Sequence, residues 1–155
     1  MATLDNTDVV REFYRAFNEK DLDAVRATMH PDALMESIPF ETTEKLIDHC
    51  VSFARAFPDG KVEITQLVAQ GDNVVAEFIG RATHRGPLPG PGDLEIPPTN
   101  RHLEMRFVEV FQLRDGRISM MRQYFDTLAL MTQLGIGAQL MPAQAPEAPG
   151  PEALH

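Results

Sequence analysis

The chain has 155 residues, room for one domain around a single hydrophobic core. Its 23 acidic against 14 basic residues leave a net charge of −9, and the basic residues are scattered singly, which argues against a nucleic-acid partner. A lone cysteine, Cys50, rules out an intrachain disulfide. With no signal-peptide pattern and no apolar run near the roughly 20 residues that span a bilayer, the expectation is a cytoplasmic protein with no membrane partner.

In chain order, "NTDVVREFYRAFNEKD" predicts an amphipathic helix capped by Asn6 or Thr7, with Val9, Val10, Phe13, Tyr14 and Phe17 on one stripe. "LDAVRATM" predicts a short second helix that stops at Pro31. "ALMESI" reads as a short extended piece ending at Pro39. "TTEKLIDHCVSFARAF" predicts a third helix with Leu46, Ile47, Cys50, Phe53 and Phe57 inward, ended by the turn chemistry of "PDG". "KVEITQLVA" and "VVAEFIGRATH" read as strands joined at "GDN". The segment 86–98 holds five prolines and three glycines and reads as a loop without regular structure. Two more strands flank Asp115-Gly116, and "TLALMTQLG" reads as a short helix ending at Gly135.

Helices followed by strands argue an α+β fold, with a curved, mostly antiparallel meander wrapped around helices as a cone. The inside of such a cone is a natural pocket for a small apolar ligand. The expected domain covers 1–140. The tail 141–155, with four prolines and no apolar periodicity, is expected to be disordered.

The segment "LEMRFVEVFQL" places Leu103, Met105, Phe107, Phe111 and Leu113 on one face, interrupted only by Glu109. Loss of hydration in such surroundings raises a carboxyl pKa toward the range useful for proton transfer. The alternative is a glutamate at the open end of the sheet, or one paired with Arg122. A two-residue Asp115-Gly116 hairpin would set Glu109 opposite Arg122; a three-residue Arg114-Asp115-Gly116 loop would align it with Met121, and Phe107 with Gln123. His84 stands between its strand and the Pro/Gly-rich loop, placed to orient a substrate or relay a proton, or to hold the loop by a backbone hydrogen bond. His30, His49 and His102 show no metal-ligand spacing, and no metal site is expected. Cys50 falls on an apolar helix face and reads as core. Val108, Val110, Met120 and Tyr124 make an apolar patch on the outer sheet face, which predicts a homodimer.

The ordered pieces "VREFYRAFNEKDLDAVRATMHPDA", "RATHRG", "PPTNR", "RDGRI", "RQYFD" and "QLG" resemble the SnoaL-like polyketide cyclases over about residues 5–135. These belong to the nuclear transport factor 2-like superfamily, alongside ketosteroid isomerase and limonene epoxide hydrolase. The resemblance implies the same cone-shaped α+β barrel. It also implies ring closure by an intramolecular aldol reaction without metal or organic cofactor. An acidic side chain on the last strand would act as acid/base, aided by a polar residue on the strand before it. Those positions fall on Gln123 and Glu109. An amide cannot exchange a proton at neutral pH, so the duty would pass to Glu109.

The resemblance favours the three-residue loop. Glu109 then sits among Met105, Phe107, Phe111 and Met121 with Gln123 nearby, while Phe125 and Asp126 complete the candidate binding residues. The function this implies is a cofactor-independent cyclase or isomerase acting on a small carbonyl compound of polyketide or terpenoid type. Glu109 would abstract a proton and Gln123 would hydrogen-bond the enolate, with His84 as a third catalytic candidate. Hydroxylase or epoxide-hydrolase chemistry in the same pocket, and a non-catalytic ligand-binding dimeric scaffold, are the alternatives.

Overall fold

The computed structural model describes residues 5–90 and 92–137. Helix α1 (Asn6–Asn18) buries Val9, Val10, Phe13, Tyr14 and Ala16. Its cap is Asp5, one residue before the expected Asn6 or Thr7, with the side chain accepting from the Asp8 N–H at 2.9 Å. Helix α2 (Leu22–Ala27) is capped by Asp21, which accepts from the Ala24 N–H. Strand β1 (Met29–Ser37) starts at once and runs through Pro31, so the extended piece is longer than expected. The proline is tolerated because the ladder to the neighbouring strand is irregular between Met29 and Leu34.

Residues Thr42–Lys45, expected as the first turn of a helix, form edge strand β2, paired antiparallel with Leu34–Ser37. Helix α3 (Leu46–Ala56) follows directly. Strands β3 (Lys61–Gln70) and β4 (Asn73–Thr83) form the predicted hairpin. The Pro/Gly-rich segment is not wholly irregular. Its strands β5 (Leu88–Pro89) and β6 (Glu95–Ile96) pair as a small ladder that buries Leu88 and Ile96. Strands β7 (His102–Arg114) and β8 (Arg117–Phe125) complete the main sheet, and α4 (Thr127–Leu134) closes the described chain. Gly135 ends α4 at φ 66°, a left-handed cap suited to glycine, and a Cβ there would lie 2.6 Å from the Arg101 guanidinium.

The six-stranded sheet has the order β2-β1-β8-β7-β4-β3. Its right half is the expected antiparallel meander; β1 joins it by pairing parallel with β8. Helix α1 packs on β3, β4 and β8, and α3 packs on β1, so the curved sheet closes around the helices. This is the α+β architecture read from the element order. Among the described residues no helix is long and apolar enough to cross a membrane. The expected proline-rich tail at 141–155 lies outside the described residues.

The register between β7 and β8 matches neither predicted hairpin. The turn has two residues, Asp115 and Gly116, both at positive φ, so Arg114 pairs with Arg117 and Leu113 with Ile118. A bulge then skips Ser119, whose Oγ donates to the Gln112 carbonyl at 3.1 Å. Beyond it Gln112 faces Met120, and Glu109 stands directly opposite Gln123. The expected alignment of Glu109 with Met121 is therefore corrected by two residues. Parity survives the shift, so Glu109, Met121 and Gln123 do share the inner face.

Candidate active site

Two residues with polar ends on apolar faces meet at the centre of the fold. Tyr14 comes from the buried stripe of α1, where a phenol needs an acceptor. Glu109 comes from the inner face of β7, where a carboxylate needs donors. Tyr14 donates its O–H to Glu109 Oε1 at 2.7 Å across 95 residues of chain. Gln123 donates from Nε2 to Oε2 at 2.8 Å. All three side chains are buried, at 2%, 3% and 6% exposure for Tyr14, Glu109 and Gln123. Among the described residues no lysine or arginine pairs with the carboxylate.

Burial therefore dominates the electrostatics. It raises the Glu109 carboxyl above its ordinary value of 4.5, against the opposing pull of the Tyr14 and Gln123 hydrogen bonds and the nearby His49. Burial, reinforced by the Glu109 charge, also raises the Tyr14 phenol, so Tyr14 stays a donor. The Cys50 thiol on the same cavity wall is pushed up by burial and held as an unreactive thiol.

The node opens onto two adjoining chambers that share His49, Phe53, Leu103, Phe107 and Gln123. The inner one, about 50 Å³, is lined by Tyr14, Glu109, Cys50, Met121 and the aromatic rings of Phe13, Phe17 and Phe78. The outer one, about 320 Å³, is bounded by Phe125 and Phe40 on one side and by the Leu88–Gly90 loop on another. Gln123 is the member of the node that lines both. His49 also lines both, with Nδ1 3.2 Å from Glu44 Oε1.

The structure brings Glu109, Gln123, Phe107, Met121 and Phe125 to the cavity. It places the other four candidates elsewhere. Met105 is buried in the core opposite Gly80 and lines neither chamber. Phe111, fully buried, packs edge-on against Phe13 and Tyr14 behind the node. Asp126 is exposed and caps α4, accepting from the Ala129 N–H at 3.1 Å, so its carboxylate is spent on a helix terminus. His84 is not a mouth residue. It is fully buried, its Nδ1 accepts from the Thr99 N–H at 3.2 Å, and its backbone bonds Asn100 and Arg101. Its ring lies against Phe57, and it clasps the Pro/Gly-rich loop to the end of β4. Among the described residues no group of three His, Cys, Asp or Glu could hold a metal ion.

Two participants escaped the sequence reading. Tyr14 looks like one more core aromatic in a helical stripe, yet its hydroxyl and the Glu109 carboxylate are complementary orphans on apolar faces. Matching such orphans was the available signal. Ser37, on the wall of the outer chamber beside Gln123, carries no sequence signal at all.

The SnoaL-like polyketide cyclase family matches residues 7–134 of the chain. No curated protein sequence matches it. Among solved structures it is similar to IdmH, a candidate polyketide cyclase from Streptomyces antibioticus, at 26% identity and TM-score 0.69, covering 86% of this chain and 100% of that one. A SnoaL-like polyketide cyclase candidate from Jannaschia sp. CCS1 is 24% identical with TM-score 0.71, covering 85% and 92%. AclR from Streptomyces galilaeus, a candidate hydroxylase, is 22% identical with TM-score 0.69, covering 84% and 95%. With a family match over most of its length, the chain belongs to the SnoaL-like polyketide cyclase family.

Proposed function

We propose that this protein is a cofactor-independent cyclase or isomerase that uses Glu109 as general base and acid on a small, largely apolar carbonyl compound. The observation that carries the reading is a buried carboxylate with no lysine or arginine partner among the described residues, held by two neutral donors at the wall of an apolar cavity. Glu109 removes a proton alpha to the carbonyl, and the C–H electrons move into an enolate. The second N–H of Gln123, not used by Glu109, donates to the developing oxyanion. In a cyclisation the enolate carbon attacks a second carbonyl, and Glu109 returns its proton to the new alkoxide. Tyr14 touches no reacting atom in this scheme; it fixes the carboxylate and lowers the cost of its charge.

The test is deuterium incorporation from heavy water into acetophenone and 1-tetralone, followed by NMR. Wild-type protein is expected to accelerate exchange alpha to the carbonyl, and Glu109→Gln to lose the acceleration while keeping the wild-type circular dichroism. Exchange unaffected by Glu109→Gln would sink the reading. A non-catalytic binding protein is the second reading, favoured by the amide at Gln123 and by both Glu109 oxygens already holding donors; no acceleration for any ketone supports it.

The outer sheet face carries a further proposal, a homodimer. Val68, Val75 and Val110 lie side by side across β3, β4 and β7, and Val108 pairs with half-exposed Tyr124. Such a face supports self-association through apolar burial.

A further inference from the structure

Glu109 lines the inner chamber and not the outer one. At about 50 Å³ the inner chamber is far below the roughly 300 Å³ at which small-molecule sites begin, whereas the outer one, about 320 Å³, reaches it. A ligand seated in the outer chamber therefore meets Glu109 where the two chambers adjoin. Of the five residues common to both walls, Phe53, Leu103 and Phe107 are apolar, and only Gln123 of β8 and His49 of α3 have polar ends. The proposed chemistry uses the amide and leaves the imidazole idle.

His49 is the fourth residue of α3, with its ring against Phe53 at 5.3 Å between centroids. Its Nδ1 lies 3.2 Å from Glu44 Oε1, and a carboxylate only accepts, so in this pair Nδ1 carries the proton. That leaves Nε2 as the free edge of the ring. It has no partner among the described residues and, unlike the sealed Nε2 of His84, it keeps accessible surface on a side chain 15% exposed. The pair owes its existence to the capture of Thr42–Lys45 by β1, which sets Glu44 opposite Met35 on the wall of the outer chamber. Had those residues been helical, Glu44 and His49 would point about 140° apart, being five residues along a helix. Burial dominates the rise of the Glu109 carboxyl and charge on His49 opposes it, so the two groups stand within electrostatic reach.

We propose that His49 is a second catalytic residue of this cavity, contacting the ligand oxygen through Nε2, and that Glu44 is its positioning residue. When protonated the ring donates at both nitrogens, Nδ1–H to Glu44 and Nε2–H to the ligand carbonyl oxygen. As Glu109 takes the alpha proton, the Nε2–H bond breaks and an O–H bond forms. The step yields a neutral enol and a neutral imidazole still bonded to Glu44, so no full oxyanion is left in a dehydrated cavity. When the enol carbon attacks the second carbonyl, the enol O–H returns its proton to Nε2, and the new alkoxide takes the Glu109 proton. The inference deepens the proposed function and rests on it for Glu109 as base; the contact between Nε2 and the ligand does not.

Two readouts separate them. The first is alkylation by 2-bromo-2′-acetonaphthone, located by peptide mass spectrometry. Nε2 attacks the bromomethyl carbon, an N–C bond forms, bromide leaves, and the resulting imidazolium stays paired with Glu44. Wild-type protein is expected to carry the label on His49, and Glu44→Gln to be labelled about tenfold more slowly, the worth of one charge-assisted hydrogen bond. Glu44 is 45% exposed on an edge strand, so this variant keeps the fold even where a change at His49 does not. The second readout is alpha-proton exchange of 1-tetralone in heavy water, where His49→Gln should lower kcat about 10²-fold with KM near that of the wild type. Label on another residue instead, no label, or labelling that Glu44→Gln does not slow overturns the proposal. A folded His49→Gln variant with the wild-type kcat also overturns it and leaves Glu109 as base. Labelling of His49 in a wild type that exchanges no ketone removes the Glu109 reading and the proton step with it, while the ligand contact of His49 stands.

Discussion

On the outer face of the sheet, Arg81 bonds Glu63 at 2.6 Å and Glu104 at 2.7 Å, and Arg106 bonds Glu77 at 3.2 Å. On the inner face, one residue along β7 from Val108, which pairs with Glu77, Glu109 is held by a phenol and an amide. The outer carboxylates sit 40–62% exposed, where water screens the pairs and each contributes little. The inner carboxylate is dehydrated and meets no lysine or arginine among the described residues, so its proton affinity rises instead of falling. The same side chain is a surface tether on one face and, in the proposed reaction, a proton-transfer group on the other. The difference lies in solvent and in the choice of neutral partners.

The largest expected effect of breaking this contrast is chemical. Glu109→Gln should lower turnover by about 10²–10⁴-fold, the usual worth of a general base, measured as alpha-proton exchange. Tyr14→Phe removes a donor from a buried charge and should cost about 1.5–3 kcal/mol in urea unfolding at neutral pH. It should also move the acidic limb of the pH–rate profile to higher pH, since the hydrogen bond from Tyr14 holds the Glu109 pKa down.

The pH dependence of stability has a definite sign. Glu109 binds its proton more tightly folded than unfolded, so its contribution is complete below the ordinary value of 4.5 and is lost as pH rises through the raised folded value. Urea melts should show Glu109→Gln gaining on the wild type from pH 4.5 upward, then levelling. His84 behaves oppositely. Burial lowers its pKa below 6.5, so stability from the neutral ring is present above 6.5 and lost as pH falls through the folded value. A His84→Gln variant should therefore flatten the loss of stability on acidification.

The smallest effect belongs to the outer face. Arg81→Gln should change stability by about 1 kcal/mol or less, shrinking further in salt. Val75→Lys, on the same face, should instead shift sedimentation from twice the chain mass to a single chain if the proposed dimer forms there.

Much of the fold was legible because its signals are local. The apolar stripe of α1, the alternation along β7, the Asp115-Gly116 turn and Gly135 at the end of α4 each speak through neighbours a few residues away. Failures came where long-range pairing overrode local preference. Thr42–Lys45 reads as helix start but is captured by β1, and Pro31 is absorbed where the β1–β8 ladder is irregular. Asp126 and His84 are chemically plausible as ligand groups; a helix terminus and a loop backbone claimed them first.

By itself the sequence determined which side of β7 would be buried and that Glu109 would lie on it, since the side-chain period of a strand leaves no other choice. It also determined that Gln123 cannot be an acid. Only the tertiary structure decided what stands against that carboxylate. The bulge at Ser119 sets Gln123 opposite it, and closure of the sheet over α1 brings in Tyr14 from 95 residues away. The parallel pairing of β1 with β8 then sets Ser37 beside the amide. Alternation is a property of adjacent residues, whereas register and closure depend on how the whole sheet curves, and no short stretch of chain encodes that.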